Sequence, residues 1–122
     1  MNGCLVGGEV RGPMAHLRVN RALAYCRRIR ELLLQHSGGW ADHDALTEFR
    51  ELSSAAARAA DDPECAGMMR SADRYALDLF SASAHQIWST GELSGTEFLR
   101  SQILGLLEVF SDRLMYLDVV GG

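Results

Sequence analysis

From Ser94 to Leu117 the chain repeats apolar residues at helical spacing: Phe98, Leu99, Ile103, Leu106, Leu107, Val109, Phe110, Leu114 and Leu117. At about 100° per residue they cover roughly half of a helix circumference. A helix resting on one core needs a stripe only a little over about 100° wide. Leu104 and Met115 fall outside even this broad arc. So apolar a helix is either central to its fold or part of an oligomer interface, and the spacing leaves both open. Its start carries a capping box, in which the Ser94 hydroxyl accepts from the Glu97 N–H and Glu97 reaches back to Ser94. Gly91, just before, supplies a turn.

Three more stretches share the helical period. Pro13 suits a first turn, and Val19, Ala22, Cys26, Ile29 and Leu33 then recur up to about His36, with Tyr25 and Leu32 at the stripe edge. Gly38 and Gly39 stop that helix. Asp42 or Asp44 caps a second, running to about Ala60 with an apolar face of Leu46, Phe49, Leu52, Ala56 and Ala60. Asp61-Asp62-Pro63-Glu64 is a stop and restart: Asp62 is a natural N-cap, Pro63 fits N1, and acids favour the positive end of the helix dipole. The third helix is expected to reach about Thr90, burying Met68, Ala72, Tyr75, Ala76, Leu79, Ser83 and Ile87.

Short connectors make successive helices antiparallel neighbours, and no stretch sustains a period of two. The expected fold is therefore all-α, an up-down-up-down antiparallel four-helix bundle with a flexible N-terminal tail. Glycine-rich residues 1–12 form that tail, and residues 13–122 make one bundle domain. The expected lengths are unequal, about 28 Å for the second helix and about 42 Å for the third. A long helix must overhang, bend or be covered by another chain.

Composition narrows the function. Hydrophobic residues at 48% and charged ones at 23% are ordinary for a globular domain. A formal net charge of −4 supplies no global field for nucleic acid. All twelve cationic side chains are Arg, which removes lysine chemistry and, with so much Ala and Gly, points to a GC-rich bacterial genome. Three cysteines, Cys4, Cys26 and Cys65, form no CxxC pair and an odd set, so reduced thiols in the cytoplasm are expected. No signal peptide is evident, and no run approaches the roughly 18 apolar residues of a membrane span.

The catalytic patterns open to a bundle are missing. No acid is followed by His three positions later, as di-iron bundles require. HExxH, CxxCH, GxGxxG and P-loop patterns are also absent. No catalytic residue, metal ligand or cofactor is assigned. Arg74, Asp78 and His85 share an outward face and read as a solvated charged surface. Cys26 reads as a small core residue. Cys65 opens the third helix, where the helix N-terminus favours a thiolate but nearby acids oppose it. Arg18, Arg21, Arg27, Arg28 and Arg30 on the first helix face a single acid, Glu31. They read as flanking, snorkelling residues rather than a nucleic-acid stripe.

Antiparallel topology brings the 1–2 and 3–4 connections to one end, which gathers His36, Trp40, His43, His85 and Trp88. By helical angle His36, Gln86 and Gln102 point inward there. Buried polar groups need partners, so His36, Trp40, Gln86 and Gln102 could line a ligand pocket. The alternative is that they satisfy helix ends. The favoured function is a non-enzymatic interaction or regulatory module acting as a homodimer, with an unidentified protein partner also possible. Leu104, Met115 and Trp88 are the candidate interface residues.

Overall fold

The computed structural model describes residues 7–36, 41–80 and 95–121, with side chains from His16 onward. Among the described residues there are four helices: α1 (Gly7–Gln35), α2 (His43–Ala60), α3 (Pro63–Leu79) and α4 (Gly95–Gly121). Each packs against its neighbours in the chain, and α1 also packs against α4, giving the up-down-up-down antiparallel bundle.

One core runs through all four helices. From α1 come Val19, Ala22, Cys26, Ile29 and Leu33; from α2, Phe49, Leu52 and Ala56; from α3, Cys65, Met69, Ala72, Ala76 and Leu79. The inner stripe of α4 is Leu99, Ile103, Leu107, Phe110 and Leu114, all fully buried. Each such side chain contributes roughly 1.5–3 kcal/mol by leaving water.

The breadth of the α4 stripe is thereby divided. Leu106, Leu117 and Phe98 are half-buried at its margins, while Val109, expected inside, is 52% exposed. The outliers divide too: Met115 is exposed, whereas Leu104 packs partly against the core. A helix with neighbours on two sides buries one stripe and its flanks, and whatever lies opposite stays outside. The Ser94–Glu97 box involves Ser94, which lies outside the described residues.

The other helices differ from expectation in register and length. Ala45 rather than Leu46 begins the buried face of α2, and Ser53 is buried within it. On α3 Cys65 and Met69 lead the stripe, while Met68 and Tyr75 flank it. α3 ends at Leu79, not near Thr90. Phe80 caps it, its N–H donating to the Ala76 carbonyl, and the Phe80 carbonyl accepts the Asp42 N–H at 3.1 Å. Ser83 and Ile87 lie outside the described residues.

α1 begins at Gly7, so Pro13 stands inside the helix instead of at its first turn. Of the expected tail, residues 1–6 lie outside the described residues.

Length inequality persists but changes hands. α1 and α4 have 29 and 27 residues, α2 and α3 have 18 and 17. The first pair spans roughly 40 Å and the second roughly 26 Å. The long helices are thus neighbours, and the α2–α3 hairpin covers only part of them.

Candidate functional site

The end holding the α1–α2 joint is built from polar contacts. Asp42 caps α2, its Oδ1 accepting the Ala45 N–H at 3.0 Å. The same carboxylate stands 3.4 Å from His36 Nε2. The His36 ring is buried and meets Phe80 edge-on, with centroids 4.6 Å apart. Arg100 arrives from α4 and donates to the Leu33 carbonyl at 3.2 Å and the His36 carbonyl at 2.7 Å. It therefore occupies the carbonyls that every helix C-terminus leaves without helical partners. Burial pushes the His36 pKa below its ordinary value; Asp42 opposes that shift and Arg100 adds to it.

Of the four residues proposed for a pocket, His36 and Gln102 are described, and Trp40 and Gln86 lie outside the described residues. Gln102 is half-buried. It sits about 200° around α4 from Arg100, which reaches α1, so it is turned toward the other flank. Arg100, Asp42 and Phe80 are the residues that sequence reasoning missed as partners of His36. An arginine at the level of a helix C-terminus was the available signal, but nothing local indicates which helix it will reach.

The opposite end closes differently. Asp61 adopts φ 52°, ψ 51°, a left-handed C-cap, and Asp62 begins α3 by accepting the Cys65 N–H at 3.1 Å. Arg113 of α4 forks onto the same carboxylate, with Nε and Nη2 at 3.2 and 3.1 Å from its two oxygens. This pairing holds the Asp62 carboxyl below the usual carboxylate range. Cys65 is fully buried, and burial followed by the neighbouring Asp62 pushes its thiol up to about 12. Cys26 is likewise raised to about 11 by burial. Both are poor nucleophiles, because the thiolate is the reactive form. Between α2 and α3, the buried Ser53 hydroxyl donates to Asp73 Oδ1 at 2.6 Å. Burial raises the Asp73 carboxyl despite that bond.

The remaining feature is a surface. From the Arg113–Asp62 pair α4 continues for about two more turns, alongside α1 and joined to it by His16 Nδ1 and Asp118 Oδ1 at 3.1 Å. Met115, Tyr116, Val119 and Val120 are all more than half exposed there, Val119 at 77%. Higher on α4, Glu97, Arg100, Ser101, Leu104, Gly105 and Glu108 border a shallow, open groove. A Cβ at Gly105 would meet nothing within 4 Å. Of the candidate interface residues, Met115 is on this outer surface and Leu104 borders the groove, while Trp88 lies outside the described residues.

Among the described residues, no group of three or more His, Cys, Asp or Glu side chains could hold a metal ion. No described helix is long and apolar enough to cross a membrane. Comparison with protein-family models, curated proteins and solved structures gave no match.

Proposed function

We propose that this chain is a non-enzymatic interaction module that works as a homodimer, associating through the outer surface of α4. The observation carrying this reading is the exposed apolar series Val109, Met115, Tyr116, Val119 and Val120, which the inner stripe of the same helix does not need. Single exposed apolar residues are ordinary, whereas a contiguous patch above a few hundred Å² marks an interaction surface. The mismatch of helix lengths supports the same reading, since the α2–α3 hairpin is too short to cover the long pair. A two-fold dimer is the commonest way to cover such a face.

Sedimentation velocity across the micromolar range tests the proposal. A dimer is expected, and Val119→Asp is expected to yield a monomer of unchanged helicity. A wild-type protein that stays monomeric throughout that range would sink it. Native mass spectrometry of the same sample distinguishes the rival ligand-binding reading. A small mass retained by wild type and lost in His36→Leu would favour that rival.

A further inference from the structure

Resting on that homodimer reading, we infer that the interface is a two-fold stack of the paired α1/α4 faces, with α1 of each copy lying over α4 of the other. Charge makes the first argument. From His16 onward α1 carries Arg18, Arg21, Arg27, Arg28 and Arg30 against Glu31, and of these Arg28 lies 4.0 Å from Glu48 of its own α2. On α4 both arginines reach back into their own chain, Arg100 to α1 carbonyls and Arg113 to Asp62. Its outer surface carries the exposed acids Glu108 and Asp112. Packing α4 against another α4 would set these acids against each other, and like charges juxtaposed across an interface are costly. Packing α4 against the α1 of a second copy sets Glu108 against Arg27, which is exposed on the edge of α1 turned away from the Arg28–Glu48 contact.

Register makes the second argument. Arg100 at the Leu33 and His36 carbonyls and Asp118 at His16 fix the heights of the antiparallel α1 and α4 within one chain. Stepping equally along both helices from either contact puts Glu108 level with Arg27, to within about a residue. A two-fold axis parallel to the helices exchanges left and right but preserves height. The same levels therefore face each other across the interface, and Glu108 of one copy meets Arg27 of the other. Leu17, 61% exposed, comes level with the Met115–Val119 patch. Leu34, 66% exposed, comes level with Ser101 and enters the groove beside Gly105. The glycine then has a reason: an exposed helical position where Ala would be favoured by roughly 1 kcal/mol stays bare so that a neighbour can approach.

Area agrees. Two adjacent helices, each about 10 Å wide and roughly 40 Å long, offer roughly 800 Å², the share per partner of a standard interface.

Charge reversal with mixing tests the arrangement. Arg27→Glu and Glu108→Arg alter exposed residues, so each is expected to keep wild-type helicity, which circular dichroism checks. Each alone is expected to weaken dimerisation by at least about tenfold, because symmetry repeats the clash. Mixed in equal amounts, the two variants restore a one-to-one heterodimer, since both of its Arg27–Glu108 positions then hold opposite charges. Gly105→Leu is expected to weaken the dimer while raising the denaturation midpoint of the monomer. A dimeric wild type indifferent to these changes, or a mixture that fails to recover, overturns this geometry and leaves the homodimer reading standing. A monomeric wild type overturns both, as does a monomer that binds labelled DNA or RNA through the same arginines.

Discussion

Both ends of α2 meet an aspartate N-cap and an arginine from α4, yet the two joints are wired differently. At the α2–α3 turn, Arg113 grips the capping carboxylate itself, so one group serves the cap and a forked ion pair. At the α1–α2 joint, Arg100 bypasses the capping carboxylate and takes carbonyls at the end of α1. The cap there, Asp42, has a buried histidine beside it instead. One joint is tied by charge and the other by backbone bonds around a neutral ring. The same local device, Asp at N-cap, thus acquires its strength and its pH response from whatever the neighbouring helix sends across.

The largest effect should separate the two caps. Asp62→Ala removes a cap bond together with the forked ion pair, leaving Arg113 its longer 3.7 Å contact with Glu64, so it is expected to cost about 2 kcal/mol, the top of the range for cap deletions. Asp42→Ala is expected to cost about 1 kcal/mol, the typical value. Urea unfolding of both variants at pH 7 measures the difference, and equal losses would break the contrast between the joints.

Acid sharpens it next. His36 has its pKa lowered on folding, so the folded state prefers the neutral ring. Its contribution is complete above the unfolded value of about 6.5 and is lost as the pH falls toward the lower folded value. Asp62 is also depressed, but it loses its contribution only as the pH falls through the carboxylate range, below about 4. The histidine joint therefore weakens first. Urea midpoints between pH 7 and 5 are expected to fall for wild type and to flatten in His36→Leu. An unchanged slope in that variant would exclude the ring as the titrating group.

The smallest effect concerns the turn backbone. Asp61 is the one non-glycine residue with positive φ among the described residues. Asp tolerates this region better than most residues but still carries strain there. Asp61→Gly is expected to gain about 0.5 kcal/mol, strain relief being partly offset by a freer unfolded chain. A loss in the thermal or urea midpoint would show that the aspartate side chain outweighs its backbone strain.

Legibility in the sequence followed the range of the interaction involved. The Asp61-Asp62-Pro63 restart was readable because a cap, a proline at N1 and the dipole all act within one turn. The inner stripe of α4 was readable because the periodicity of one helix contains it. Val109 was misread because it sits at the edge of a wide stripe, and only the positions of α1 and α3 decide which edge is covered. The end of α3 was misread because no glycine or proline stands at Phe80 to mark the place where the helix ends. For the His36 joint, the inward histidine was visible in the sequence, but Asp42, Phe80 and Arg100 as its surroundings were not.

By itself, then, the sequence determined four amphipathic helices, their order, their antiparallel connections and the chemistry of the α2–α3 turn. Each of these follows from local sterics, capping and the period of 3.6 residues. Tertiary structure alone decided which arginine meets which acid or carbonyl and which half of the α4 apolar surface is core. It also made the two long helices neighbours. Those outcomes depend on distances between residues far apart in the chain, and no property of a single helix specifies them.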